Sequence, residues 1–215
     1  MRVGRFTALA GLTFVASIVG TIVTGLIGPS VSKSAAEVAA KVASHRTDVL
    51  IDSVLWVTAG VTFLCFAAGL ATVLARRDAG QLASRVVLIS GAVAAATSFL
   101  TAVLIAAVGS SIHQLHNSQT VYVLFRGAVS SDIASDVLFG VAIAASALGL
   151  RQLELLSPRS TGLGVLAGAV FLVGGFDFIT PNAGPLNPVG LIGGTLGLLY
   201  VIAVSAILLR RGPAP

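Results

Sequence analysis

Six times along this chain the sequence runs for 17 residues or more with almost no charge. A backbone inside about 30 Å of hydrocarbon must satisfy its own amides, and about 20 apolar residues in a helix do so. The six runs are Phe6–Gly28, Leu50–Ala75, Val86–Gly109, Ile133–Leu150, Gly162–Phe178 and Val189–Leu209. None shows the alternating ten-residue pattern of a transmembrane β-barrel. The expected fold class is therefore all-α: a polytopic transmembrane bundle of about six spans, one domain over residues 1–215. Composition agrees, because only 10% of residues are charged against roughly 25% in a soluble domain. So few charges cannot cover a water-facing surface. The first run is too long for a signal-peptide core, so it reads as a retained span.

Basic residues set the expected orientation. With the N-terminus inside, nine of them lie on the inner side: Arg2, Arg5, Arg76, Arg77, Arg85, Arg151, Arg159, Arg210 and Arg211. The outer side holds four: Lys33, Lys41, Arg46 and Arg126. Both termini are thus expected in the cytoplasm. The net charge of +5 is spread over span ends and forms no patch, which excludes a nucleic-acid partner. The lipid bilayer is the partner this composition requires. A second copy or a membrane subunit would have to contact the chain within it.

Loops carry further signals. The inner turns Arg76–Arg85 and Arg151–Ser160 are short and predict helical hairpins. In the first outer loop Val31, Ala35, Val38, Ala39 and Val42 recur at helical spacing, with Glu37 and Lys41 four apart on the other face. That pattern predicts a short amphipathic helix at the outer interface. Thr180–Pro188 holds three prolines and predicts a stiff, irregular turn. Two stretches also match: Asp48–Trp56, with Asp52 within it, and Asp132–Phe139, with Asp136 within it. Each has two Asp four apart, then Val-Leu and an aromatic, which suggests a duplicated hairpin.

Charged groups at membrane depth are the candidates for function, because burying them is costly. Asp52, Asp136 and Asp177 fall near the outer ends of spans two, four and five and form the candidate ligand- or ion-binding set. His45, Asp48, His113, His116 and Asp132 are assigned to the same side. Imidazole with carboxylate suits zinc or another divalent metal, the one cofactor this chain suggests, although nothing in it requires one. The same groups without metal suit proton or cation movement. The structural alternative asks least: Asp48 and Asp132 stand where helix N-caps belong, Asp52 and Asp136 in first turns, and the histidines in solvated loops.

Gly164/Gly168 and Gly193/Gly197 are GxxxG pairs, which permit close helix packing between the last two spans. Trp56 and Tyr122 read as interface anchors. The single Cys65 lies mid-span, so no internal disulfide forms. Catalytic-nucleophile arrangements and phosphate loops are absent.

The passage Leu150-Arg151, Pro158-Arg159, Gly162-Leu-Gly164-Val-Leu resembles the short turn, Pro-Arg, then Leu-Gly passage of small six-span bacterial membrane proteins with no assigned function. The resemblance implies a class and a bacterial inner (plasma) membrane, and no chemistry. Movement or sensing of a small solute or ion through an outward-facing polar site is the leading functional expectation. A membrane-embedded metal-dependent hydrolase and a non-catalytic membrane subunit are the alternatives.

Overall fold

The computed structural model describes residues 3–27, 33–112, 117–176 and 187–210. Among them are seven α-helices and no strand: α1 (Val3–Ile27), α2 (Ala35–Ser44), α3 (Arg46–Leu74), α4 (Gln81–Ser111), α5 (Ser118–Gln152), α6 (Pro158–Gly175) and α7 (Asn187–Arg210). Five of these, α1, α3, α4, α5 and α7, are long and apolar enough to cross a membrane. Helix α6 is shorter, at 18 residues, and opens on the polar turn Pro158-Arg159-Ser160-Thr161.

Six helices close a ring. Each of α1, α3, α4, α5, α6 and α7 packs on the next, and α7 returns to α1. Apolar side chains such as Val54, Ile89, Val103 and Leu166 point away from the ring and stay exposed. Inward, the ring is filled by aromatics from four helices. Phe63 of α3 meets Phe139 of α5 edge-on at 4.4 Å and Phe14 of α1 at 4.9 Å, while Phe171 of α6 lies 6.4 Å from Phe139. Such tilted and edge contacts suit the ring quadrupoles and fix the helices around one centre.

Two tight turns define one end of the ring, here the hairpin end. A 3₁₀ turn at Asp78–Gly80 joins α3 to α4, and the Ser84 hydroxyl donates to the Ala71 carbonyl at 2.8 Å across the turn. Between α5 and α6 the Leu155 amide donates to the Leu150 carbonyl at 2.9 Å, with Glu154 in the left-handed region at φ 57°. That is a helix C-cap in which glycine would normally stand.

At the opposite end lies α2. Ser34 and Glu37 form a capping box: the Ser34 amide donates to the Glu37 carboxylate at 3.0 Å, and the Glu37 amide donates back to the Ser34 hydroxyl at 3.4 Å. Glu37 therefore turns back to Ser34, and the expected pairing with Lys41 is not made. Val38 and Val42 are fully buried, in one cluster with Val121 of α5, Val108 and Ile112. The apolar stripe of α2 is thus packed on protein, mainly α5, and does not lie free on the interface.

Helix α5 departs most from expectation. It begins at Ser118 and not near residue 133, so its 35 residues extend about 52 Å. Asp132 and Asp136 consequently lie in its interior. The N-cap and first-turn reading of these two residues does not hold, since Asn117 caps α5 through the Gln119 amide at 2.8 Å. Helix α3 likewise starts at Arg46, which puts Asp48 in its first turn and Asp52 beyond it. Trp56 is corrected as well: it is 9% exposed and faces the ring interior, not the lipid interface.

Candidate functional site

A cavity of about 510 Å³ occupies the half of the ring nearer α2. Its floor is the aromatic cluster: Phe14, Phe139 and Phe171, with Ile143 beside them. Above that floor Asp136 lies one turn before Phe139 on α5, and Asp132 one turn further, because residues three and four apart share a helix face. Opposite stand Trp56 of α3 and Ile18, Thr21 and Ile22 of α1. The remaining wall is the first half of α7, where Gly190, Gly194 and Gly197 alternate with Leu191 and Leu198. The lining is predominantly apolar. Asp132 and Asp136 are the charged groups in it among the described residues.

The two carboxyls are half-buried, and no hydrogen-bond donor or basic side chain stands against either among the described residues. Asp132 lies within electrostatic reach of Asp52 across the α3–α5 gap, and Asp136 within reach of Asp132. Asp52 is held differently. The Thr24 hydroxyl of α1 donates to it at 2.7 Å, and the Trp56 indole one turn on is against the same carboxyl. Asp52 thus ties α1 to α3 beside the cavity, while Asp132 and Asp136 face into it.

Polar backbone contacts hold α5 in rotation. Ser131 donates to the Thr97 carbonyl of α4 at 3.1 Å, and Thr101 donates to the Ala128 carbonyl at 3.4 Å. These bonds lie on the α4 side, in the turn just before Asp132. On the α6 side, Gly140 and Gly168 bring the two backbones together: a Cβ on either would come within 2.7 Å of the other's carbonyl oxygen. On α7, the Tyr200 hydroxyl is bonded to Ser146 of α5 at 2.9 Å inside the core.

Of the expected ligand set, Asp52 and Asp136 lie in the same region, with Asp132 between them electrostatically. Asp177 lies outside the described residues. Of the expected metal set, His45 and Asp48 pair with each other at 3.4 Å at the start of α3, while Asp132 belongs to the cavity. His113 and His116 lie outside the described residues. Among the described residues no three His, Cys, Asp or Glu side chains are placed to hold a metal ion. Among the GxxxG positions, Gly193 packs on Phe171 of α6, Gly197 on Phe171 and on Ile143 of α5, Gly164 on Tyr200 of α7 and Ala147 of α5, and Gly168 most closely on Gly140 and Ala144 of α5. Sequence reasoning passed over the α7 glycines Gly190 and Gly194 and the part Trp56 plays in the cavity wall. The spacing of four between Gly190 and Gly194 was the available signal.

A pocket that is mainly apolar, with two unpaired carboxyls one turn apart on the same helix face, can bind a cation with some hydrocarbon on it, or pass a proton between neighbouring acids. No protein-family model, no curated protein and no solved structure matches the chain.

Proposed function

We propose that the chain is a six-span inner-membrane protein with both termini inside, whose outward-facing cavity binds a small cationic solute at Asp132 and Asp136 for transport or sensing. The observation that carries this reading is the pair of carboxyls facing a cavity with no countercharge among the described residues. An unpaired carboxylate at membrane depth is expensive, and an arriving cation supplies the missing partner. The inward orientation of the hairpin end follows the nine-to-four split of basic residues. Helix α6 then counts as the sixth crossing, shortened because its polar first turn lies at the interface.

Trp56 is the only tryptophan and lines the cavity, so its fluorescence reports the site directly. Tetramethylammonium added to the purified protein in lipid nanodiscs should change that emission saturably. Asp136→Asn and Asp132→Asn should each weaken binding about 10- to 100-fold, the usual range for losing a charge-assisted contact. No saturable response, or one that both variants retain unchanged, overturns the reading.

A further inference from the structure

Two glycines in the cavity wall, Gly190 and Gly194, leave the space of a side chain open, although the Gly190 backbone itself packs closely on Gly174 of α6. Most helix-interface glycines here are forced: a Cβ on Gly197 would strike the Phe171 ring, and one on Gly168 the backbone of α5. Gly190 and Gly194 differ, for a Cβ at either position meets nothing within 4 Å. Glycine inside a helix is about 1 kcal/mol worse than alanine, so helix stability does not favour it there. What their missing side chains provide is volume, and both line the cavity.

The remaining lining has the same character. Phe14, Ile18, Phe139 and Phe171 form an apolar chamber beyond the two carboxyls, and 510 Å³ is far more than an inorganic cation or a methylammonium needs. The chamber also meets the lipid-facing side. Ile22 of α1 and Leu191 of α7 both line it, yet they are 50% and 67% exposed. Towards the hairpin end α1 and α7 are in contact, with Gly11 against Ser205. Among the described residues, the chamber therefore borders the lipid-facing surface between the α2-end halves of these two helices.

Resting on the reading that the carboxyl pair binds a cation, we infer that the ligand is a lipophilic cation: one positive charge at Asp132 and Asp136 and a bulky apolar body beside Gly190 and Gly194. The apolar body would be held by burial against Phe14, Phe139 and Phe171, so it adds affinity that a bare ammonium lacks.

The test compares tetraphenylphosphonium with tetramethylammonium, which carry the same charge and differ in apolar bulk, by Trp56 fluorescence in nanodiscs. Empty nanodiscs correct for partition into lipid. Tetraphenylphosphonium should bind at least about 100-fold more tightly. Gly194→Leu, whose Cβ has open space, should weaken tetraphenylphosphonium by about 10-fold or more and leave tetramethylammonium within about twofold. Asp136→Asn should weaken both. Equal affinity for the two cations, or a Gly194→Leu effect equal on both, overturns the lipophilic ligand while cation binding at the carboxyls stands. Tetraphenylphosphonium binding that survives in the double variant of Asp132→Asn and Asp136→Asn overturns the carboxyl site as well, and so does a wild-type protein that responds to neither cation. Melting temperature of each variant, measured without ligand, separates lost binding from lost folding.

Discussion

The buried hydroxyl of Tyr200 shows how a single polar atom is accommodated among apolar helices. It bonds Ser146 at 2.9 Å, and Ser146 also approaches the Ile143 carbonyl at 2.8 Å, so the pair is satisfied without water. Tyr200→Phe removes one bond and no packing volume. Its expected cost is about 0.5–1.5 kcal/mol, and Ser146→Ala on top of it should add less than its own single effect. Denaturant unfolding in mixed micelles of the two singles and the double measures this coupling. Additive losses would show that the bond contributes nothing. Glu154 makes the opposite case, since a non-glycine side chain sits at φ 57° in the turn after α5. The left-handed region costs an L-residue about 1–2 kcal/mol, partly offset by the freedom glycine adds to the unfolded chain. Glu154→Gly should therefore stabilise by up to about 1 kcal/mol, read as a rise in melting temperature. A fall would mean that the Glu154 side chain makes a contribution larger than its strain.

At the scale of elements, α5 and its neighbours set the position of the site. The Gly140–Gly168 contact leaves no room for a side chain, so Gly168→Leu should separate α5 from α6 and cost about 3 kcal/mol or more, as overpacking at a backbone contact does. Gly162→Leu, on the same helix but with open space around its Cβ, should cost little. Equal effects in a thermal-shift assay would refute the contact. Helix α2 carries the pH-dependent element. The Ser34 amide and hydroxyl hold the Glu37 carboxyl below the usual glutamate range. Because the folded value is the lower one, this stabilisation is complete above the usual range and is lost as pH falls through the depressed value. Amide-exchange protection of α2 should drop on acidification below about pH 4, and Glu37→Gln should flatten that dependence. The helices themselves were largely legible, because apolar length is a direct physical signal. The start of α5 was not. Residues 118–131 include Arg126 and several hydroxyls, so they read as loop on a hydropathy criterion. They are helical because Val121 and Ala128 pack against α2 and α4, a tertiary cause that hydropathy does not register. The same shift explains the carboxyls. Asp132 and Asp136 looked like caps only while the helix was taken to begin beside them, and whether they face the cavity that Trp56 of α3 also lines depends on the rotation of α5 fixed by Ser131 and Gly140.

The whole molecule is a ring with two unlike ends, and the basic residues predict which side each end faces. In a Cys65→Ala background, Ser44→Cys at the end of α2 and Ala79→Cys in the α3–α4 turn place exposed thiols at opposite ends. A membrane-impermeant maleimide applied to intact cells should label Ser44→Cys and spare Ala79→Cys. The reverse pattern would invert the proposed orientation, and labelling of both would refute a single topology. Cys65 itself is half-buried on α3 and packs on the core, so replacing it should change stability by only about 1 kcal/mol.

The closure of the ring also fixes an order of events during synthesis. Helices are made from α1 onwards, yet one wall of the cavity is α7, and α1 finds its second neighbour only when α7 arrives. Helix α2 likewise waits for α5, some 80 residues later, to cover Val38 and Val42. Until then Asp132 and Asp136 have no chamber around them, and the α2-end half of α1 lacks α7 beside it. A ribosome stalled before residue 187 would carry every acid of the site and no site, so ligand protection should first be detectable in nascent chains long enough to have released α7.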